Sequence, residues 1–227
     1  MGKLIVFEGI DGSGKSTQFK MMCKRLEEEG TEFRTLVFPQ YSEPSSALIR
    51  MYLGGEFGGD PNAVIAYAAS TFYAVDRYAS FVKVWKEYYE NGGLIVCDRY
   101  TTSNAIHQAS KVEDEKKGEF FSWLYDFEFG LMGMPAPDAV LYMDVPLETA
   151  VSQMRKREAE TNTKGDIHET DNSYLAKCCD CGKKAAEHYG WKSIKCVKDG
   201  AMRSADDINE EIYTWLKEEI LLWYIFF

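Results

Sequence analysis

A parallel α/β sheet of five strands, covered by helices on both faces, is the fold class this sequence predicts. Three observations predict it. Short apolar segments rich in β-branched residues recur along the 227 residues. Amphipathic helical stretches separate them, as parallel strands require crossover connections. A glycine-rich run joins the first strand directly to the first helix, as in strand–loop–helix units that bind phosphate.

The strands are expected at 3–8, 34–38, 93–97, 139–144 and 192–197. The first, Lys3-Leu4-Ile5-Val6-Phe7, reads as a strand buried on both faces. Helices are expected at 15–29, 45–53, 61–90, 116–132, 147–157, 171–189 and 205–222. The first carries Met21, Met22 and Leu26 between Lys and Glu residues and stops at Gly30. Asp60-Pro61 and the stretch from Ser204 to Asp207 read as helix starts. No repeat, low-complexity stretch or linker interrupts the chain, so 1–227 reads as a single domain. The polar stretch from Glu158 to Thr170 reads as a loop within it.

The run Gly9-Ile10-Asp11-Gly12-Ser13-Gly14-Lys15-Ser16-Thr17 matches G-x-x-x-x-G-K-[ST], the P-loop. Gly12 and Gly14 let the backbone approach a phosphate, and successive N–H groups form an anion cradle. Lys15 adds a point charge toward the β- and γ-phosphates, and Ser16 offers a hydroxyl to Mg²⁺. The helix that follows directs its positive dipole end at the same anion. The motif sits on strand–loop–helix, the context it requires, so the fold is expected to be of the P-loop NTPase type with ATP and Mg²⁺ as ligands.

Composition narrows the function. Hydrophobic residues make up 45% and the net charge is −10. An acidic chain lacks the basic face of a general nucleic-acid or membrane-surface binder, so neither is expected as a partner. No apolar run reaches membrane-spanning length, and Met1-Gly2-Lys3 leads into the first strand without a leader pattern. With six cysteines, this points to a reduced, cytoplasmic setting. Cys178, Cys179, Cys181 and Cys196, with His188, lack the paired spacing of a zinc site and read as helix-face thiols. The apolar end, 220–227, reads as a terminal helix docked on the body or as a subunit contact.

Two further constellations point to phosphoryl transfer. The third strand ends in Cys97-Asp98-Arg99-Tyr100. Open α/β sheets bind ligands beyond the carboxyl ends of their strands, so Asp98 is expected near the P-loop as a carboxylate for Mg²⁺. Arg99 offers a planar fork to phosphate oxygens. Tyr73 and Arg77, four apart, share one helix face, where an aromatic plane and an arginine can stack a base and hydrogen-bond its edge; core packing is the commoner reason for that spacing.

The P-loop with its internal Asp11, Phe38-Pro39 after the second strand, the Tyr73…Arg77 helix and Asp98-Arg99-Tyr100 together resemble the thymidylate kinases. The resemblance extends to about residue 217. It implies transfer of the ATP γ-phosphate to dTMP by a homodimer. It also implies site roles. Gly9, Asp11, Gly12, Ser13, Gly14, Lys15, Ser16 and Thr17 would hold the nucleotide phosphates, with Ser16 and Asp98 at the metal. Asp11 would accept from the sugar 3′-OH, and Phe38 would line the dTMP site. Tyr73, or its neighbour Phe72, would stack on thymine, and Arg77 would bond a base carbonyl. Asn104 would read N3, with Ser103 and Gln108 near the base. Arg99 would hold phosphates, and Tyr100 would pack under the sugar. A lid over about 155–170 would exclude water, with Arg155, Arg157 or Lys164 as the cation joining Lys15 and Arg99 in catalysis.

Two positions depart from the family pattern. Gly12 stands where some members carry an arginine, which implies a cation supplied by the lid, yet the usual lid Asp-Arg pair reads Asp166-Ile167. Gln40-Tyr41 follows Phe38-Pro39 where an arginine often binds the acceptor phosphate, so Arg50 is expected to reach in, or the site is one cation short. These departures keep open a kinase for another nucleoside monophosphate or a deoxynucleoside, and a degenerate nucleotide-binding regulator. A GTPase switch fits poorly, because Thr163-Lys164-Gly165-Asp166 does not follow a strand and no D-x-x-G occurs.

Overall fold

The computed structural model describes residues 1–161 and 172–221. Strands β1 (Lys3–Glu8), β2 (Phe33–Val37), β3 (Leu94–Asp98), β4 (Ala139–Asp144) and β5 (Lys192–Lys195) form one parallel sheet in the order β2-β3-β1-β4-β5. All five lie within a residue or two of their expected positions. The register aligns Lys3 with Leu94 and Ile5 with Ala139, which brings the ends of β1 and β3 level.

Helices α1 (Lys15–Glu28), α2 (Ala47–Leu53), α3 (Ala66–Ser80), α4 (Lys86–Glu90), α5 (Thr102–His107), α6 (Lys117–Tyr125), α7 (Leu147–Thr161), α8 (Asn172–Tyr189) and α9 (Ala205–Glu219) surround it. A small hairpin, β6 (Val197–Lys198) and β7 (Ala201–Met202), follows β5. Period-two alternation distributes β1 between two cores. Ile5 and Phe7 meet Phe19, Met22 and Leu26 of α1 and Ile208, Ile212 and Leu216 of α9. Leu4 and Val6 point the other way, toward Phe81, Trp85 and Tyr89. At roughly 1.5–3 kcal/mol for each fully buried large apolar side chain, this two-sided burial makes the central strands the anchor of the fold.

Several expected elements are cut differently. The long helix expected over 61–90 is cut into four segments. Asp60 caps only a short 3₁₀ turn, Pro61–Ala63, and α3 starts at Ala66 because Val64 is extended. A π-turn, Phe81–Trp85, then separates α3 from α4 and carries Trp85 into the core. The helix expected over 116–132 ends as α6 at Tyr125 and continues as a second π-turn, Asp126–Leu131. Ser204 caps α9 by accepting from the Asp207 N–H at 3.1 Å, as expected, and α9 ends at Glu219 rather than 222. α7 runs to Thr161, so residues 158–161, expected at the start of the polar loop, are helical. Lys164, the Thr163–Asp166 motif, Ile167 and the tail beyond Leu221 lie outside the described residues.

All six cysteines are free thiols, five buried and Cys179 half-buried. Cys178 faces one core and Cys181 another, which is the helix-face role expected of them.

Candidate active site

Chain direction creates the crevice. The chain leaves β1 to build β2 on one side and leaves β3 to build β4 on the other, so the loops after β1 and β3 diverge. A cleft opens between them at the carboxyl ends. Both sequence-predicted constellations, the P-loop and Asp98-Arg99, occupy it.

The P-loop wraps one cavity of about 390 Å³. Gly14 caps α1 with φ +83°, a left-handed conformation that glycine tolerates without a Cβ penalty. Gly12, at φ +77°, is packed so closely against α7 that a Cβ would lie 2.2 Å from the Ala150 carbonyl oxygen. No side chain fits there as the loop and α7 stand, so the structure accommodates glycine at this position and not an arginine. Arg157 of α7 lines the cavity instead, opposite Met202 and Arg203. Arg155 is exposed and does not line it.

A second cavity, about 340 Å³, lies under β3 and α3. Asp11, Lys15 and Ser16 line both cavities, so the two meet at the P-loop. Phe38, Tyr73, Arg77, Arg99, Tyr100, Ser103, Asn104 and Gln108, all predicted from sequence, line this second space. Tyr41 lines it too, where an arginine was expected. Phe72 instead packs on Phe57. Arg50 does not line the cavity; it donates to the carbonyls of Tyr41 at 2.7 Å and Glu43 at 3.1 Å, and so holds the loop after β2. The alternative in which Arg50 reaches the acceptor phosphate is therefore corrected: it lies outside the cavity wall, with Nη1 turned to those carbonyls and to Ser46 Oγ at 2.5 Å. Tyr100 is fully buried, stacks on Phe129 and donates to the Pro135 carbonyl at 3.0 Å.

Each cavity arginine is already held by a carboxylate. Arg99 adopts φ +69°, uncommon for a side-chain-bearing residue, at the sharp turn leaving β3. Its Nη2 donates to the Asp11 carboxylate, and its Nη1 lies 3.0 Å from His107 Nε2 and 3.9 Å from Glu8 Oε1. Glu8 is fully buried and accepts from Thr102 Oγ1 at 2.7 Å, Ser103 Oγ at 2.8 Å and the Gly9 N–H at 2.9 Å. His107 Nδ1 faces the Cys178 thiol at 3.7 Å. Arg77 pairs with Glu128 through Nε at 2.7 Å and Nη2 at 2.5 Å. Asn104 donates its amide nitrogen to the Ser70 carbonyl at 3.3 Å. Gln108 Oε1 is buried without a hydrogen-bond partner, an acceptor left over inside the cavity wall.

Electrostatics follow from these pairs. Burial would raise the Asp11 carboxyl, but Arg99, His107, Lys15 and Arg157 together hold it well below the usual carboxylate range. Burial would lower the Arg99 guanidinium, but Asp11, Glu8 and Asp98 keep it firmly charged. Lys15 is pushed down from its ordinary value, first by burial and then by Arg99, against the pull of Asp98, Asp11 and Glu8.

A divalent cation fits the donor set. Ser16 Oγ lies 2.8 Å from Asp98 Oδ2, and Lys15 Nζ lies 3.1 Å from Asp98 Oδ1. That last oxygen is buried and accepts no hydrogen bond. A hydroxyl beside a carboxylate with spare acceptor capacity is hard-oxygen ligation of the kind Mg²⁺ takes.

Sequence reasoning did not single out Glu8, His107 or Glu128. Glu8 left a trace, as an acidic residue closing an apolar strand. His107 and Glu128 left none, because their partners lie in distant segments.

Known proteins resemble this chain. A thymidylate kinase of Mycobacterium tuberculosis is 32% identical over 155 residues, which cover 68% of this chain and 71% of that protein. A probable thymidylate kinase of Pyrococcus abyssi is 26% identical over 225 residues, covering 97% and 98% of the two chains. The solved structure of a thymidylate kinase from Candida albicans matches 96% of this chain and 92% of its own with a TM-score of 0.71 at 21% identity, a likeness of fold. A family model described as thymidylate kinase matches residues 7–200, from the end of β1 to the turn between β6 and β7, and by that match this chain belongs to the thymidylate kinase family.

Proposed function

We propose that this protein is an ATP-dependent dTMP kinase that transfers the γ-phosphate of ATP to the 5′-phosphate of dTMP, giving dTDP and ADP. The observation that carries the reading is the meeting of two cavities at Asp11, Lys15 and Ser16, one wrapped by the P-loop and one lined by base-recognising residues.

The chemistry asks for alignment and positive charge. The transition state is loose, with charge spread over the equatorial oxygens of the phosphoryl group in flight. The acceptor phosphate is already anionic, so no strong general base is required. Lys15 lies between donor and acceptor and neutralises the moving group. Arg99, held by Asp11 and Glu8, meets the acceptor phosphate without reorganising. Arg157 adds a cation from α7 on the donor side. Ser16 and Asp98 would hold Mg²⁺, which when bound supplies positive charge to the ATP phosphates. Asp11 turns its second oxygen to the sugar 3′-OH. Tyr73 stacks on thymine, Arg77 donates to the base carbonyl, and Asn104 Oδ1 accepts from N3–H.

The reading extends to assembly. On α3 and the π-turn after it, Val75, Tyr78 and Val82 are 49%, 44% and 52% exposed. Their spacing of three and four residues sets them on one stripe. That stripe supports a homodimer. Among the described residues no helix is long and apolar enough to cross a membrane, and the reading sets the enzyme in the cytoplasm.

ATP consumption with Mg²⁺ across dTMP, dUMP, dCMP, UMP, dGMP, thymidine and no acceptor tests the proposal. Turnover mainly on dTMP is the expected result. Preference for thymidine or a different monophosphate would move the substrate. ATP binding without turnover on any acceptor would replace the enzyme with a nucleotide-binding regulator.

A further inference from the structure

We infer that Glu128 is a positioning residue that sets the base selectivity of the acceptor cavity, fixing Arg77 as a donor and Asn104 as an acceptor before any ligand arrives. The inference rests on the dTMP kinase reading and goes beyond it, since Glu128 touches no substrate.

Glu128 sits on the second π-turn, in a segment far from the P-loop in sequence, and is fully buried. Four donors converge on its carboxylate. They are Arg77 Nε at 2.7 Å, Arg77 Nη2 at 2.5 Å, Thr101 Oγ1 at 2.7 Å and Asn104 Nδ2 at 3.5 Å. An ionised carboxylate only accepts, so each neighbour must turn a donor toward it. For Arg77 this occupies the Nε–Nη2 edge and leaves the Nη1 side, which reaches the Tyr100 carbonyl at only 3.4 Å, for a ligand. For Asn104 the consequence is orientation. Its amide nitrogen is drawn to Glu128 and to the Ser70 carbonyl, which leaves Oδ1 as the group for a ligand.

The cavity therefore offers a donor beside an acceptor, in fixed order. Thymine and uracil present the complement, a C4 carbonyl beside N3–H. Cytosine presents the reverse, an amino group beside a bare N3, and would set donor against donor and lone pair against lone pair. Sites built from buried, pre-paired polar groups reject such mismatches strongly, because the groups are left unpaired. The discrimination comes from the charge of Glu128, transmitted through two side chains.

Glu128→Gln tests this. It keeps shape and volume but brings an NH₂ group against the Arg77 donors and releases Asn104 to turn over. The readout is the ratio of kcat/KM for dTMP to that for dCMP, which does not depend on the fraction of enzyme that is folded. We expect the ratio to fall at least about tenfold, through a KM for dTMP raised about 10–100-fold with kcat within about threefold. ATP affinity stays as in the parent, and Glu128→Asp, which keeps the charge, recovers part of the ratio. An unchanged ratio in a parent enzyme that prefers dTMP overturns the role of Glu128 alone. A parent enzyme with no preference for dTMP overturns the dTMP reading, and this inference with it. Should Glu128→Gln fail to fold, Thr101→Val removes one bond to the carboxylate and keeps the ion pair. A two- to fivefold fall in the ratio then supports the role, and no change overturns it.

Discussion

The two cavities that meet at Lys15 are built on opposite plans. In the acceptor cavity every arginine is paired before a ligand enters: Arg99 with Asp11 and Glu8, Arg77 with Glu128. The P-loop cavity also has a paired arginine, Arg203 with Asp207 and Glu211, but its wall is otherwise mainly backbone N–H groups, Lys15 and the exposed Arg157 of α7. On the proposed reading, one side is a fixed polar lattice for a base, and the other is a cradle completed by a cation from a helix surface. Selectivity demands groups that do not adjust, because discrimination comes from leaving wrong partners unsatisfied. Transfer demands charge that gathers around a moving phosphoryl group.

The largest expected effect falls where the plans meet. Lys15→Ala should lower kcat on the order of 10³-fold while dTMP binding, followed by titration, changes within about fivefold. A matching loss of dTMP affinity would mean that the cavities are one site. The next effect separates the two arginines of α7. Arg157→Ala should lower kcat about 10–100-fold, and Arg155→Ala within about threefold, in the same steady-state assay. Reversal of that order would move the donor-side cation to a residue outside the cavity wall. A third variant presses the cradle against α7. Gly12→Ala forces a left-handed conformation and a Cβ into the Ala150 carbonyl, at a cost of about 1–3 kcal/mol. Calorimetry should show the melting temperature lowered by about 5 °C, and an unchanged value would mean that the loop and α7 yield to each other.

The smallest effect concerns acid. Because Arg99 and its neighbours hold the Asp11 carboxyl below its unfolded value, its contribution to stability is present above the unfolded pKa of about 4. It is lost as pH falls through the folded value, so Asp11 adds no slope between about pH 5 and 8. Melting temperatures below about pH 4 should fall more steeply for the parent than for Asp11→Asn. Parallel acid limbs would show that the Asp11–Arg99 pair contributes nothing to the lattice.

The same contrast governs what sequence alone reveals. The cradle is contiguous: nine residues from Gly9 to Thr17 carry it, and local spacing discloses it. The lattice is assembled from β1, α3, α5 and the second π-turn. Of its ligand-facing members, Arg77 was suggested weakly by its spacing from Tyr73, and Asn104 came only from resemblance. Its hidden members, Glu8, His107 and Glu128, are isolated polar residues whose pairing exists only after folding. The three central strands were legible because burial on both faces leaves continuous apolar runs, whereas the edge strands β2 and β5, exposed over much of their length, showed only as short runs between helical stretches. The breaks at 81–85 and 126–131 were not, because helical periodicity continues through them and only packing decides that Trp85 turns inward. Arg50 misled for a related reason: its position suited a phosphate, but nearer carbonyls took its donors first.

The buried thiols give this fold an internal gauge of its own opening. Cys23 lies on α1, Cys97 on β3, Cys178 and Cys181 on α8, and Cys196 just after β5. Burial pushes the thiols of Cys23, Cys178 and Cys196 up to about 12, so almost none is thiolate at neutral pH. A brief pulse of an alkylating reagent, read peptide by peptide in a mass spectrometer, therefore marks each of these positions only when its own segment opens. The sheet, the helix behind the P-loop and the helix behind His107 can thus be timed separately in one unaltered chain.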